Sequence, residues 1–281
     1  MSRSALGLLL GTALIVGAGC AGGPSSGSGD HGASANTDKG LDAPLVAPDS
    51  AAARGVGWSI KGGLLSFETA FAQSPSALSP AWLTGLDPLQ LPVTVANGVV
   101  FGTQSGLEAA SHNYNDSLAW LAGTFPPNQR ASAVIHKAPG ISGGYQEVEI
   151  LLRWSSGPLR TGLPFGDTHS RGYEINLAWD GEYVLISPFK SAPLFDSLIS
   201  GTPSRALGVQ DGDILSAEIV GNTITATLTR HGHTTILASA TDPSPITTGS
   251  PGIGFFRGTA PGATTNSSSF GFTSFSATAL P

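Results

Sequence analysis

Residues 145–154 read YQEVEILLRW, and residues 171–189 read RGYEINLAWDGEYVLISPF. In the first segment Val148, Ile150, Leu152 and Trp154 alternate with Glu147, Glu149, Leu151 and Arg153. Successive side chains of an extended chain point to opposite faces, so this period of two predicts a β-strand with one face in a core. The second segment repeats the pattern, setting Tyr173, Ile175, Leu177 and Trp179 against Glu174, Asn176 and Ala178. Asp180-Gly181 then reads as a two-residue hairpin turn with positive φ, and Glu182 to Phe189 as the returning strand. The stretch predicts neighbouring antiparallel strands.

The flanks follow the same rule. Trp58 to Phe67 predicts a hairpin about Gly62-Gly63, and Pro92 to Phe101 another about Asn97-Gly98, a type I′ signal. Pro80-Ala81-Trp82 is read as the seed of one helical turn. Short strands are expected at Asp116–Trp120 and Gln129–His136. Further strands are expected at Asp213–Val220, Thr223–Arg230, Thr234–Ser239, Gly252–Phe256 and Phe270–Ala277. No stretch carries the 3.6-residue period of a long amphipathic helix. The prediction is an all-β protein with little helix, about 12–14 strands in two packed antiparallel sheets.

Composition agrees. Charged residues make up 11% of the chain, while glycine numbers 38 and proline 20, a balance that suits an all-β protein outside the cytoplasm. The net charge is -6 with 13 Lys+Arg, and no basic run is present, so nucleic acid is not an expected partner. No segment is apolar for long enough to span a bilayer.

The first residues belong to targeting. Arg3 precedes an apolar run, Leu6 to Val16, that has the length of a secretory signal and not of a membrane span. The run ends in Val16-Gly17-Ala18-Gly19-Cys20, which resembles the lipobox of bacterial lipoproteins, with Gly17 where leucine is commonest. The resemblance implies removal of residues 1–19 and lipidation of Cys20. Cys20 is the only cysteine and has no disulfide partner within the chain. Ala21 resembles the outer-membrane sorting residue of Gram-negative lipoproteins, so an outer-membrane cell-envelope location is implied. Residues 20–54, rich in Gly, Ser, Ala, Asp and Pro, are expected to be a flexible linker, leaving 55–281 as the folded domain.

The order of segments from the Asn97-Gly98 hairpin through DSLAW (116–120), EVEILLRW, RGYEINLAWDGEYVLI, GDILSAEIVGNTITATL (212–228), PGIGFF (251–256) and FGFTSFSA (270–277) resembles the concanavalin-A-like lectin/glucanase sandwiches, including laminin-G-like domains. That resemblance implies a jelly roll and a sheet face that holds sugar. It does not fix an activity, because the fold carries lectins, lyases, hydrolases and adhesion modules.

The candidate chemistry lies on the polar alternation of the two central strands. Glu147, Glu149 and Arg153 on one, with Glu174 and Asn176 on the other, share a sheet face if the strands pair. Two carboxylates in proximity can divide into acid and base, the chemistry of glycoside cleavage, which makes Glu149 and Glu174 the catalytic candidates. Glu147, Arg153 and Asn176 are read as ligand contacts. The laminarinase-type hydrolases carry Glu-x-Asp-x-x-Glu, and Glu147-Val-Glu149-Ile-Leu-Leu lacks two of those acids. Gly172-Tyr173-Glu174-Ile175-Asn176 is similar to the GYE-x-Q strand of bacterial 3-keto-disaccharide hydrolases, with Asn in place of Gln. His112 and Tyr114 in one loop, and Arg160 and His169 in the loop between the central strands, are further ligand candidates. No metal site is assigned: His231-Gly232-His233 lacks a third ligand, and zinc takes three or four from protein. Calcium is an option at Asp180, Asp211 and Asp213, which also suit the turns they occupy.

The expected function is a lipid-anchored module that binds carbohydrate or a cell-surface ligand without turnover. A carbohydrate-active enzyme (hydrolase or lyase) using Glu149 and Glu174 is one alternative, and an adhesion scaffold the other. A monomer is expected.

Overall fold

A computed structural model describes residues 57–71, 77–85, 90–104, 116–140, 146–156, 170–190, 198–201, 208–257 and 267–281. These residues form sixteen strands: β1 (Trp58–Lys61), β2 (Leu64–Ala70), β3 (Trp82–Thr84), β4 (Val93–Ala96), β5 (Val99–Gly102), β6 (Ser117–Leu121), β7 (Gln129–Lys137), β8 (Gln146–Ser155), β9 (Arg171–Ala178), β10 (Val184–Phe189), β11 (Ile199–Gly201), β12 (Ile214–Val220), β13 (Thr223–Arg230), β14 (His233–Thr241), β15 (Ser250–Arg257) and β16 (Phe270–Ala279). One 3₁₀ turn, Ser267–Ser269, is the only helical element among them.

The strands make two antiparallel sheets. A nine-stranded sheet runs β1-β2-β16-β7-β12-β13-β14, with β5 joined to β16 and β4 to β5. A seven-stranded sheet runs β11-β10-β9-β8-β15-β6-β3. The core lies between them. Val148, Ile150, Leu152, Tyr173, Ile175 and Leu177 of the second sheet meet Ala131, Ile135, Leu215, Ala217, Ile219 and Phe272 of the first, all at 0–1% exposure. Each large apolar side chain buried here contributes about 1.5–3 kcal/mol. The chain is thus an all-β, two-sheet antiparallel sandwich, as its alternation predicts.

Several turns form as read. Asn97 and Gly98 both have positive φ, 54° and 78°, and close β4 onto β5. His231 and Gly232 do the same for β13 and β14, with φ of 49° and 80°, so His231-Gly232-His233 is a hairpin tip. Two local expectations are corrected. Pro80 and Ala81 make a single turn that the Trp82 N–H closes on the Ser79 carbonyl at 3.0 Å. Trp82 itself, however, opens strand β3 and packs edge-on to Phe67 and Phe275 at 5.7 and 5.0 Å between ring centroids. The β9–β10 connection runs from Trp179 to Tyr183 and is longer than a two-residue hairpin, with positive φ at Gly181 and not at Asp180. Asp180 instead caps the loop, accepting the Glu182 N–H at 2.9 Å.

The larger correction concerns β8. Its strict alternation holds as far as Leu152, which pairs with Tyr173, and then a bulge intervenes before Ser155 pairs with Arg171. Arg153 sits in the bulge with φ 50°. The extra residue turns Arg153 away from Glu147 and Glu149 and turns Trp154 onto their face. The backbone also needs space here, since a side chain on Gly249 (φ 126°) would strike the Arg153 carbonyl oxygen at 2.1 Å.

Candidate functional site

The face of the seven-stranded sheet turned away from the other sheet carries the alternate residues of β6, β15, β8 and β9. Register across it is fixed by pairing. Asn176 lies opposite Glu149, Glu149 opposite Gly254, and Gly254 opposite Leu118. In the next row Glu174 lies opposite Leu151, Leu151 opposite Gly252 and Gly252 opposite Trp120. This face is as dry as the core face. Glu149 is 0% exposed, Glu174 4%, Glu147 5%, Asn176 8% and Asp116 9%. The face therefore differs from the solvated side common in antiparallel sheets.

Three carboxyl groups converge here. Asp116 at the entry to β6, Glu149 on β8 and Glu174 on β9 place an oxygen each within 4.8 Å of one another. Strand β15 lies between β8 and β6, and its glycine makes the approach feasible. A Cβ on Gly254 would stand 2.0 Å from Glu149 Oε2 and 2.6 Å from Leu118 Cδ2. Around the trio, Asn176 Nδ2 donates to Glu147 Oε2 at 2.8 Å and to Glu174 Oε2 at 3.3 Å, and the Tyr183 hydroxyl donates to Glu147 Oε1. Neither oxygen of Glu149 receives an N–H or hydroxyl donor, and Glu174 Oε1 and Asn176 Oδ1 also lack a partner.

Charge in a dry site is expensive, and the titration of these groups reflects it. Burial, then the neighbouring Glu174, Asp116 and Glu147, push the Glu149 carboxyl well above the usual carboxylate range. Burial, followed by Glu174 and Glu147, does the same to Asp116. Burial pushes Glu174 up to about 7, although a hydrogen bond from Glu149 pulls against the rise. Burial and mutual repulsion thus raise all three carboxyls together.

Beside the acids on the same face lies an apolar patch of Leu118, Trp120, Leu151 and Trp154, with Leu83 and Phe189 against it. Trp154 and Phe189 meet edge to face at 5.1 Å. The alternation places Trp154 in the intersheet core; the bulge moves it here. Trp120, with 3% exposure, offers no free ring face. Trp179 packs partly buried against the main core, with the Lys137 ammonium 4.8 Å from its ring centroid.

Arg153 is not a ligand contact. Its side chain leaves the acidic face, and Nε, Nη1 and Nη2 donate to the carbonyls of Pro127 (2.7 Å), Ile246 (2.5 Å) and Gly221 (2.8 Å). The Arg153 N–H is taken by Gln129 Oε1 at 2.9 Å. With 1% exposure, this guanidinium is a clamp joining three loops. Burial lowers its pKa. The expected grouping of Glu147, Glu149, Glu174 and Asn176 forms; Arg153 drops out, and Asp116 and Tyr183 join. Asp116 keeps phase with Leu118 and Trp120, and that phase was the one available sign of it. His112, Tyr114, Arg160 and His169 lie outside the described residues, as does Cys20.

The turn aspartates proposed for calcium are otherwise engaged. Asp213 is held by Arg230 through two hydrogen bonds, 2.8 and 2.6 Å, and by the Gln210 N–H at 2.7 Å. Asp211 Oδ1 contacts His136 Nδ1 at 3.0 Å and accepts the Lys137 N–H at 2.9 Å.

No protein-family model matches the chain, and no curated protein matches it. Solved structures similar to it include the carbohydrate-binding module CBM66 from Bacillus subtilis, at 14% identity and TM-score 0.44, covering 68% of this chain and 97% of that one. The exoplasmic/lumenal domain of VIP36 in its Ca2+/Man2-bound form is similar at 13% identity and TM-score 0.49, covering 76% and 87%. A mutant of the GH43 protein BlXynB from Bacillus licheniformis is similar at 12% identity and TM-score 0.46, covering 74% and 38%. At these values no assignment of activity follows from the likeness.

Proposed function

We propose that this chain is a carbohydrate-binding module of the cell envelope, anchored by lipid at Cys20, that holds its ligand on the outward face of the seven-stranded sheet without cleaving it. One observation carries the reading: that face brings together oxygens of Glu149, Glu174 and Asn176 that no donor among the described residues meets. Sugars present hydroxyl donors on their rims, and such convergent acceptors complement them. The anchor rests on the lipobox resemblance alone.

The test is to screen the purified chain against immobilised glycans while assaying for reducing sugar. Retention with quenching of tryptophan fluorescence and no sugar release is the expected result. Retention by no glycan removes this reading and leaves the scaffold. A second reading, a hydrolase with Glu149 as acid and Glu174 as its partner, draws on their close approach and displaced titration. Reducing-sugar release lost in Glu174→Gln would establish it in place of the first. Cys20→Ser is expected to move the protein out of the membrane fraction, and unchanged partitioning refutes the anchor.

A further inference from the structure

We propose that Asp116, Glu149 and Glu174 form a divalent-cation site, with Asn176 beside it. This goes beyond the carbohydrate reading, and either can fail without the other.

The first observation is how this protein treats its other buried acids. Asp242, at 0% exposure, receives the Tyr173 hydroxyl (2.7 Å), the Lys190 ammonium (2.6 Å) and the Ser244 N–H (2.9 Å). Asp213, at 2% exposure, is met by Arg230 and the Gln210 N–H. Glu149 is as deeply buried as Asp242, yet no N–H or hydroxyl reaches either oxygen. Among the described residues, no Lys, Arg or His pairs with Asp116, Glu149 or Glu174. Three acids share a dry volume without the donors that their counterparts elsewhere receive.

The second observation is Asn176. It is over nine-tenths buried, its Nδ2 lies 3.3 Å from Glu174 Oε2, and its Oδ1 has no partner. A buried amide with an unmet oxygen thus lies against the three acids, and an all-oxygen set suits a hard cation. Calcium binds oxygen at about 2.3–2.6 Å, so ligands on opposite sides of the ion stand about 5 Å apart. The three carboxylate oxygens, all within 4.8 Å of one another, are close enough to share one ion. Gly254 keeps the volume open, since any side chain there would fill the space at Glu149 Oε2.

To test it, the purified full-length chain is stripped with EDTA and titrated calorimetrically with CaCl2, and separately with MgCl2. One calcium per chain is expected, bound more tightly than magnesium, with a rise in Tm. Glu149→Gln, which keeps the shape and removes the charge, is expected to weaken calcium binding about tenfold or more, as charged ligands set affinity at such sites. Asp116→Asn, at the mouth of β6, is expected to do the same and decides the matter if Glu149→Gln does not fold. A wild-type chain that binds neither ion overturns the proposal; the acids then share protons. Calcium binding unchanged in both variants also overturns it, because the ion then sits elsewhere. Glycan retention is scored separately, so its failure with calcium binding intact removes the carbohydrate reading and leaves the site standing.

Discussion

Arg153 shows how one side chain can hold distant segments together. Its planar fork satisfies three carbonyls, on Pro127, Ile246 and Gly221, that belong to separate connections, and the Ile246 bond is fully buried. Replacing it with methionine keeps the bulk and leaves the buried Ile246 carbonyl bare, at about 1–3 kcal/mol, while water can reach the exposed Pro127 and Gly221. Urea unfolding of Arg153→Met is expected to show a loss of about 1–3 kcal/mol. Arg153→Lys should recover little of it, because an ammonium cannot span the three directions of a guanidinium. A midpoint within error of wild type would mean that the clamp carries no stability. Gly254 acts by absence. Gly254→Ala drives a methyl into Glu149 Oε2 and Leu118, and about 1–3 kcal/mol of overpacking strain is expected. In a double-mutant cycle, Glu149→Ala should recover part of that loss, and strictly additive effects would refute the contact.

Strands β6, β8 and β9 act together through their carboxyls. In the metal-free protein Glu174 titrates near 7, against an ordinary value of 4.5, with Glu149 and Asp116 raised beside it. The folded state thus holds protons that the unfolded chain has already released. A raised carboxyl contributes stability that is complete below its unfolded pKa and is lost as pH rises through the folded one. In EDTA, Tm is therefore expected to fall as pH rises from about 4.5 to beyond about 7. The paired variant Glu149→Gln/Glu174→Gln should flatten that slope, and an unchanged slope would assign it to other groups. Strand β8 shows a second property of an element. Its bulge reverses the facing of Arg153 and Trp154 within two residues, which no count of alternation can register.

The sandwich as a unit has one intersheet core, to which both sheets contribute. Phe272, fully buried and 5.4 Å from Phe255 of the opposite sheet, spans the two layers. Phe272→Ala is expected to lower stability by about 3–5 kcal/mol. Near- and far-ultraviolet circular dichroism should follow it in a single shared transition. Two separated transitions would show that the sheets unfold independently. On the outer side of the seven-stranded sheet, Glu147, Glu149 and Glu174 are core residues by exposure although they are surface residues by type. Hydrophobic patterning cannot anticipate this, because it reads a charged position as solvated.

Much of the architecture was open to inspection in the chain itself. Alternation at Glu147–Leu152 and Tyr173–Leu177, and turn pairs such as Asn97-Gly98, act through backbone geometry over a few residues, and those elements formed where expected. The meeting of Asp116 with Glu149 and Glu174 was not open in the same way. It depends on β15, more than a hundred residues beyond β6, lying between β6 and β8 with a glycine at the crossing point. Local preference sets strands and turns; strand order sets which acids become neighbours, and that is fixed only when distant segments bury their apolar faces together.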